Sequence, residues 1–471
     1  MLYTTYIRPK ITYGITAVAS ACVSRLDKLE TIQNAAIRLA IGARNTSPRA
    51  ALQAEANLPP LLEHIHEICC NTYFRMSSQT HPLLEEMSND IATRDKVWTA
   101  VKKPPFAKRC KTTLERWNIP EDTDVRQVLI PSLPPWEKSP TVLRSELSSK
   151  IDKNFSNKQI KAAALDTINT RYPLHLKIYT DGSKFAESTS AAMWIPSLGV
   201  AESWKLNQAV ERSIMGAELF AIKQSLHWLL LNQPLIQHLG VVILTDSRSG
   251  IQALESHRRR SSSFTTNQIL NLAHILKDSE VDLTIQWIPS HVGLMGNERA
   301  DELAKAAHNL TALTNAPLDP TEMKLKIKST CKRRCQQWYD IDKIETHIGC
   351  IRSTLGYWPW TSCKSRRVET AMTRLRIGHS RLRAHLFRFG LVDDPNCNTC
   401  AVPENSKHIM EECHRSRHER TILFQKMRTL GIQRPNTRVL LGGGEYDIAI
   451  QGEIVKAVEY FLTSSGSIDL I

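Results

Sequence analysis

Four acidic residues in the middle of the chain have side chains that could together hold metal ions: Asp181, Glu218, Asp246 and Asp301. Carboxylate oxygens are hard donors, and a set of them without cysteine suits Mg²⁺ or Mn²⁺ rather than Zn²⁺. Two such ions can activate an attacking water and stabilise the leaving oxygen of a phosphodiester. Each residue alone also has an ordinary interpretation, because Asp181 and Asp246 suit turns, Asp301 suits a helix dipole and Glu218 suits a surface.

Two predicted strands end at two of these acids. Alternating apolar and polar residues from Leu174 predict a strand that ends at Thr180 and Asp181, before a glycine turn. Residues 241–244 are apolar throughout, which predicts a buried central strand, and they lead into Thr245 and Asp246. If the strands are parallel neighbours, the two aspartates lie side by side at the carboxyl edge of a sheet, about 5 Å apart.

The remaining elements must bring the other two acids to the same edge. Short strands are predicted near 191–195, 202–206 and 283–288. Glu218 lies beside the apolar stripe of a crossover helix, and Asp301 lies early in a last helix that begins at Asn297. The sequence therefore predicts an α/β domain in which four carboxylates converge.

The segments around these acids resemble the four signature blocks of type 1 ribonuclease H. They are IYTDGS at 178–183, GAELFAI at 216–222, LTDSRSG at 244–250 and IPSHVGLMGNERADELAK at 288–305. The resemblance covers about 140 residues and implies a ribonuclease H-like mixed five-stranded sheet with flanking helices. It also implies an endonuclease that hydrolyses the RNA strand of RNA/DNA hybrids by two-metal-ion catalysis.

The resemblance assigns a role to each acid. Asp181 would bridge two ions, Glu218 and Asp246 would complete one metal site, and Asp301 would complete the other. Glu218 would also touch a ribose 2′-hydroxyl, the group by which RNA is told from DNA.

Two further residues of the last block are part of the resemblance. His291 resembles a mobile-loop histidine that assists proton transfer or product release, and Asn297 resembles a neighbour that positions it. The alternative for His291 is a solvated loop histidine without a catalytic role.

A second candidate metal site has the spacing Cys-x2-Cys-x7-His-x4-Cys, in Cys397, Cys400, His408 and Cys413. Such a set can close a tetrahedral Zn²⁺ shell, and four protein ligands would make the zinc structural. The spacing resembles the small cysteine-histidine motif that closes many non-LTR retrotransposon polyproteins. Two alternatives remain: His414 competes as the ligand, or the three cysteines are simply buried and free.

The charge of the chain predicts a polyanionic partner. The formal net charge is +14, and residues 321–390 alone hold 16 Lys and Arg against five Asp and Glu. Clustered cations bind nucleic acid through release of condensed counterions. Aromatic residues are interleaved with cations in this stretch, and they have two possible roles. They stack on bases, or they form a core with the charges on its solvated face. The aromatic residues are Trp338, Tyr357, Trp358 and Trp360, and the cations are Lys332, Arg333, Arg334, Arg366 and Arg367.

The beginning of the chain is predicted to be helical. YTTYIRPKITYGITAV at 3–18 resembles the thumb-side segment that follows the palm in reverse transcriptases of non-LTR retrotransposons. An apolar stripe predicts a helix that ends at Gly42, and Pro59 and Pro60 precede a second helix with Leu61, Ile65 and Ile68 on one face. The residues of the first stripe are Leu29, Ile32, Ala36 and Leu39.

Several activities and environments are not expected. No Tyr-Ala-Asp-Asp palm signature occurs, so reverse transcriptase activity is not predicted. The start lacks a secretory signal pattern, so we expect an intracellular protein, without a choice between nucleus and cytoplasm. No apolar run approaches about 20 residues, so we expect that the chain does not cross a membrane. A metal site is conceivable at His64, His66, Cys69 and Cys70, but these four residues are interpreted as buried helix residues, and so are Cys331 and Cys335.

Five segments are predicted along the chain. They are a helical thumb-like segment at 1–90, a linker with short helices at 91–172, the ribonuclease H domain at 173–312, a basic helical region at 313–395, and a zinc-knuckle-like motif with a tail at 396–471. The alternative to an active nuclease is a catalytically idle nucleic-acid-binding remnant of a retrotransposon polyprotein.

Overall fold

The computed structural model describes most of the chain, namely residues 2–21, 23–78, 104–121, 123–126, 139–149, 155–186, 188–206, 212–236, 240–256, 263–342, 346–356, 365–444 and 446–471. The chain forms two compact units, one of Met1–Ile68 with Ser329–Ile471 and one of Cys69–Lys328. Among the described residues, none of the helices combines the length and the apolarity that a membrane span requires.

Seven strands form one mixed sheet in the unit Cys69–Lys328. They are β1 Val142–Arg144, β2 Leu176–Phe185, β3 Ser188–Ile195, β4 Val200–Leu206, β5 Val241–Thr245, β6 Leu283–Trp287 and β7 Leu313–Thr314. Their order is β1-β6-β5-β2-β3-β4-β7, antiparallel at β2-β3 and β3-β4 and parallel elsewhere. The predicted fold class is confirmed, with two short edge strands, β1 and β7, added to the predicted five.

The predicted end of β2 is wrong. The strand does not stop at Thr180 and Asp181 but continues through Gly182 to Phe185, and the turn to β3 lies near Ala186, whose φ is 50°. Gly182 is needed in the strand because a Cβ there would lie 2.8 Å from the Glu218 backbone nitrogen. The glycine therefore marks close packing between the strand and a helix rather than a turn.

The helices are distributed over both units. In chain order they are α1 Arg8–Thr12, α2 Ile15–Val18, α3 Val23–Ile41, α4 Arg49–Ala56, α5 Leu61–Ser78, α6 Phe106–Arg116, α7 Asn157–Arg171, α8 Ile214–Leu231, α9 Gln233–Ile236, α10 Arg248–Glu255, α11 Phe264–Asp278, α12 Met295–Ala306, α13 Pro320–Asp342, α14 His347–Ile351, α15 Arg366–Ile377, α16 Arg383–Arg388, α17 Arg417–Thr429, α18 Thr437–Leu440 and α19 Ile448–Ser464. Tyr3–Ile7 and His408–Glu412 are short π-helical segments.

The core of the sheet unit lies between the sheet and its helices. Every residue of β5 is buried, as expected for a central strand, and Leu219, Leu226 and Leu229 of α8 pack into the same cluster. Burial of one such side chain stabilises the fold by about 1.5–3 kcal/mol. β1 and α7 fall within the stretch predicted as a linker, yet β1 pairs with β6 and Ile168 of α7 packs with Leu244 of β5.

The other unit is helical around a separate apolar core. Leu375, Met427 and Phe461 are among its fully buried residues. Leu61 and Ile65 are buried on one face of α5, as predicted, while Ile68 is only half-buried. Cys69 and Cys70 of α5 and Cys331 and Cys335 of α13 are buried, as interpreted, whereas His64 and His66 are only half-buried.

The predicted buried face of α3 is wrong, although the helix ends at Ile41 before a left-handed Gly42, as expected. Ile32 and Leu39 are 49% and 83% exposed, and the buried face carries Gln33, Asn34 and Ile37 instead. Gln33 accepts a 2.6 Å hydrogen bond from the Tyr3 hydroxyl, and Asn34 accepts one from Gln53 at 3.4 Å. Two hydrogen-bonded amides therefore share the buried face with Ile37, which packs in an apolar cluster.

Candidate active site and candidate metal centre

Asp181 lies in β2 and Asp246 directly follows β5, two neighbouring central strands of the sheet. β2 and β5 are parallel neighbours, and Thr180 is in register with Thr245. Each aspartate directly follows one of these paired threonines. The carboxyl edge of parallel strands is where ligands bind in open α/β sheets, so the register places both acids at such an edge.

Glu218 reaches the same edge from α8. The Ser213 side chain caps this helix by accepting a 3.0 Å hydrogen bond from Gly216 N, and the short strand-to-helix distance at Gly182 brings the glutamate close to β2. Carboxylate oxygens of Asp181, Glu218 and Asp246 lie within 4.8 Å of one another. Asp181 and Glu218 are only 5% and 6% exposed. The structure thus brings three of the four predicted acids into one cluster, in which Asp181 and Glu218 are buried and Asp246 is half-buried.

Burial and mutual repulsion disfavour charge in this cluster. The pKa of Asp181 is raised to about 8, first by burial and then by the charges of Asp246 and Asp301. The pKa of Glu218 is raised well above its ordinary value by burial, then by Asp181 and Asp246. Burial also raises the pKa of Asp246, and a hydrogen bond from Asn297 opposes the rise. Crowded carboxylates of this kind are relieved either by protons or by a cation.

The donor set fits a hard divalent cation. All the gathered atoms are oxygens, which Mg²⁺ and Mn²⁺ prefer. The Oε2 atom of Glu218 is buried and has no hydrogen-bond partner among the described residues. A metal ion would satisfy this atom, which otherwise carries the full cost of lost hydration.

Asp301 lies on α12 next to this cluster. It contributes to the raised pKa of Asp181, and one of its oxygens lies within 4.8 Å of ligand atoms of His291 and Glu298. Its Oδ2 accepts a 2.6 Å hydrogen bond from Lys305 Nζ. His291 is exposed on the loop before α12, with a left-handed φ of 53°.

Three supporting residues were not identified from the sequence. Glu298 accepts a 3.1 Å hydrogen bond from Gly293 N and so closes the loop that carries His291. Lys305 pairs with Asp301, and their four-residue helical spacing could have revealed it. Trp287 Nε1 donates to Asp246 O at 3.2 Å, a contact that no sequence pattern signals.

Asn297 contacts an acid of the cluster. Its Nδ2 atom donates to Asp246 Oδ2 at 3.4 Å, and its side chain is 3% exposed. The contact orients the Asp246 carboxylate. The expected role of Asn297 in positioning His291 stays a prediction.

The cysteine cluster forms a compact site in the other unit. Ligand atoms of Cys397, Cys400, His408 and Cys413 lie within 4.8 Å of one another. Cys413 Sγ is 4.0 Å from both other sulfurs. Three ligands on a tetrahedral Zn²⁺, with Zn–S bonds of about 2.3 Å, would place sulfurs about 3.8 Å apart. The distances therefore suit a tetrahedral ion.

The surroundings of these ligands also fit zinc. Both ring nitrogens of His408 are buried without a hydrogen-bond partner among the described residues, and the ring is 2% exposed. His414 donates its backbone N–H to Cys400 Sγ at 3.3 Å, while the residue itself is exposed. The pKa of Cys397 is lowered because hydrogen bonds from the Thr399 and Cys400 backbone and from Cys400 and Cys413 outweigh its burial. His408 rather than His414 therefore lies with the three cysteines.

The basic stretch 321–390 serves more than one purpose. Arg352 and Arg376 are buried, and they bond to the Ala54 carbonyl at 2.9 Å and to the Glu55 carboxylate at 3.0 Å. Arg366 and Arg367 are exposed, and Trp338 is 37% exposed. Tyr357, Trp358 and Trp360 lie outside the described residues, so the choice between stacking and core roles stays open for them.

The fold and the site together define a class of domain, in which a mixed sheet flanked by helices gathers carboxylates at its carboxyl edge. Residues 174–309 match the RNase H family, and this part of the chain is an RNase H domain. Domains of this family generally use divalent metal ions and support nuclease activity on RNA/DNA hybrids. No relative of the chain was found among curated proteins.

Solved structures similar to this chain include three RNases H. LC11-RNase H1 isolated from compost by a metagenomic approach is 21% identical, with 29% of this chain and 96% of that chain covered and a TM-score of 0.24. The N-terminal RNase H domain of Rv2228c from Mycobacterium tuberculosis is 17% identical, with coverage of 28% and 94% and a TM-score of 0.21. RNase H1 from the halophilic archaeon Halobacterium salinarum NRC-1 is 17% identical, with coverage of 28% and 96% and a TM-score of 0.21.

Proposed function

We propose that residues 174–309 hydrolyse the RNA strand of RNA/DNA hybrids, with Mg²⁺ or Mn²⁺ held by the acidic cluster. The proposal rests on one observation: Asp181, Glu218 and Asp246 gather their carboxylates at the sheet edge of a segment that matches the RNase H family. Three crowded acids, two of them buried, lower the stability of the metal-free fold, so their presence favours a metal-binding role over a structural one.

In this proposal the four acids hold two divalent ions. Asp181, Glu218 and Asp246 form one group of ligands, and Asp301 extends the site along α12. Bound ions would activate a water and stabilise the charge that develops on the phosphodiester oxygens. The chain itself contributes ligands that are already positioned, because a sheet edge and two helices fix them before substrate arrives.

Two side chains are proposed to act on substrate groups. Glu218 would accept a hydrogen bond from a ribose 2′-hydroxyl in addition to its role as a metal ligand. His291 would assist proton transfer or product release, supported by its exposure and by its place beside Asp301. Asn297 would keep the Asp246 carboxylate in place through its 3.4 Å hydrogen bond.

We also propose a structural Zn²⁺ bound by Cys397, Cys400, His408 and Cys413. All four positions of a tetrahedral ion would be filled by protein, which leaves none for water or substrate. The zinc would therefore stabilise the fold locally and take no part in hydrolysis.

We further propose that the chain derives from a non-LTR retrotransposon polyprotein. The order of a thumb-like segment, an RNase H domain and a terminal cysteine-histidine motif supports this origin. Reverse transcription is not part of the proposal, because the chain has no paired palm aspartates for the polymerase metals. Purified protein should therefore fail to extend a primer on an RNA template.

One experiment separates the nuclease from the alternative of an idle binding remnant. Purified chain is incubated with a labelled RNA/DNA hybrid, double-stranded RNA or double-stranded DNA, each with and without Mg²⁺. We expect Mg²⁺-dependent cleavage of the RNA strand of the hybrid only. Hybrid binding without cleavage in Mg²⁺ or Mn²⁺ would establish the idle remnant instead, and negligible hybrid affinity at low salt would exclude both.

A further inference from the structure

A ligand-sized cavity with a basic wall lies in the unit formed by Met1–Ile68 and Ser329–Ile471. Its volume is about 450 Å³, within the range of about 300–1,000 Å³ that small-molecule sites occupy. His347, His379, His385, Arg388 and Lys407 line it, and none of the described lining residues is acidic. Such a wall favours an anion.

The histidines of this cavity are held through one nitrogen each. His385 Nδ1 lies 2.8 Å from Ser380 O, and His347 Nδ1 lies 3.0 Å from Arg376 O. Carbonyl acceptors require Nδ1–H, so in both rings Nε2 is the nitrogen left for a ligand or a second proton. His385 is 7% exposed, and its buried Nε2 has no hydrogen-bond partner among the described residues.

One arginine near these rings is unpaired among the described residues, whereas Lys407 on the wall pairs with Glu412 at 3.2 Å. Arg44 has two buried nitrogens, Nε and Nη2, without a hydrogen-bond partner among the described residues. Burial and the charges of Arg388 and Arg44 lower the pKa of His385, against the effect of the Ser380 hydrogen bond. Burial, followed by His385, Arg388 and His347, lowers the pKa of His379 to about 4. A bound anion would offset the charges of Arg388 and Arg44 and favour a second proton on His385 and His379, whose rings would then donate to it.

An aromatic ring stands beside the basic wall. The Phe389 ring centroid is 4.9 Å from that of His385 and 6.2 Å from that of His379, and Phe389 is 46% exposed. An exposed ring next to clustered cations is the combination that binds a base and a phosphate together. The ligand class is therefore narrowed from any anion to a nucleotide.

We propose that this cavity binds the phosphate monoester of a nucleotide, in the form of the 5′-terminal phosphate of a nucleic-acid strand. A phosphate monoester carries nearly two charges and three acceptor oxygens, which matches several converging donors better than a diester does. The same chemistry is present in a free nucleotide and in inorganic phosphate, so the test must distinguish these sources. The proposal does not depend on the nuclease activity proposed for residues 174–309.

The test measures binding by the full-length, zinc-replete chain in phosphate-free buffer without Mg²⁺. The probe is a short single-stranded DNA, labelled at its 3′ end and carrying either a 5′-phosphate or a 5′-hydroxyl. We expect the 5′-phosphate to tighten binding by about tenfold, as a charge-assisted site should. Arg388→Gln and His379→Gln should each remove most of this difference, and Arg388 is exposed, so its replacement leaves the fold intact.

Matched controls are Arg434→Gln and His418→Gln, which change the same residue types at exposed positions outside the cavity wall. Both should keep the full preference for the 5′-phosphate. Equal binding of the two probes by the unmodified chain would overturn the proposal, and so would equal losses in cavity and control variants. If a nucleoside 5′-monophosphate competes as strongly as the phosphorylated strand, the cavity binds free nucleotides rather than strand ends. If inorganic phosphate competes equally strongly, the cavity is a phosphate site and the proposal of a nucleotide ligand is rejected.

Discussion

Lys305 Nζ lies 2.6 Å from Asp301 Oδ2, one helical turn further along α12. The hydrogen bond to Asp301 raises the pKa of Lys305, so the amine stays charged. The Lys305 side chain is 60% exposed, while that of Asp301 is 16% exposed. A cation supplied by the protein thus occupies one oxygen of a proposed metal ligand, and it must compete with the metal ion for that oxygen.

Replacing Lys305 by Met should therefore favour metal binding. Removing the positive charge leaves Asp301 more available, and an exposed helical pair of this kind changes affinity by about twofold. We expect the Mg²⁺ concentration at half-maximal hybrid cleavage to fall by about twofold. Lys277→Met, at an exposed position of α11, is the control. A rise in the Mg²⁺ requirement would show that Lys305 instead holds Asp301 in position.

Asp181→Asn and Asp246→Asn should each abolish hybrid cleavage while the fold is kept. A neutral amide binds the metal ions poorly, and it also removes repulsion from the crowded acidic cluster. Glu218→Gln and Asp301→Asn should be severe for the same reason. The measurements are cleavage rate and melting temperature, with Asp282→Asn at an exposed position as control. Unchanged turnover in either of the first two variants would refute the assignment.

The metal-free fold should lose stability as the pH rises. The pKa of Asp181 is raised from 3.8 to about 8, mainly by burial. Its contribution to stability is then complete below the unfolded pKa and is lost as the pH rises through the folded pKa. The melting temperature without divalent ions should fall between about pH 4 and pH 8.

The same pH series identifies the group responsible. Asp181→Asn should flatten the decline, and so should saturating Mg²⁺, because both remove the cost of charging the cluster. Glu218 and Asp246, whose pKa values are also raised, would contribute in the same direction. A metal-free melting temperature that rises over this window would contradict the described burial of Asp181 and Glu218.

The acidic cluster could be anticipated from the sequence because short-range patterns specify its parts. The apolar residues 241–244 predict a buried strand, and the acid that follows such a strand must lie at the sheet edge. The supporting contacts could not be anticipated in the same way. Trp287 bonds to the Asp246 carbonyl across 41 positions of the sequence, and such a pairing depends on the assembled sheet.

Two errors have definite physical causes. Gly182 suggests a turn on propensity alone, yet it lies within β2 because a helix packs against it too closely for a side chain. The apolar stripe of α3 suggests its buried face, yet Gln33 and Asn34 are buried, and their amide oxygens accept hydrogen bonds from Tyr3 and Gln53. Periodicity cannot reveal which polar side chains will find partners that are distant in sequence.

His291→Ala should slow hybrid cleavage without abolishing it. A histidine that assists proton transfer typically contributes about 10²–10⁴ in rate, and water replaces it in part. The position is exposed, so the melting temperature should not change. The measurement is the single-turnover cleavage rate, with His274→Ala on α11, whose side chain is 42% exposed, as the matched control. A loss as complete as in Asp181→Asn would mean that His291 has a different role, such as metal ligation.

Cys400→Ser should release zinc and loosen only the surroundings of the cysteine cluster. A structural zinc site contributes about 10–16 kcal/mol of binding free energy, which is also local folding free energy, and a hydroxyl is a poor replacement for a thiolate. We expect loss of stoichiometric zinc, faster hydrogen exchange in residues 397–413 and weaker nucleic-acid binding. Hybrid cleavage should stay within about twofold, since four protein ligands leave no open position for catalysis.

A zinc-selective chelator in Mg²⁺ buffer should have the same effect as Cys400→Ser, and Cys350→Ser, at an exposed free cysteine, should have none. If metal-replete protein contains no stoichiometric zinc, the proposed zinc site is rejected. The two buried ring nitrogens of His408, which have no hydrogen-bond partner among the described residues, would then need another partner.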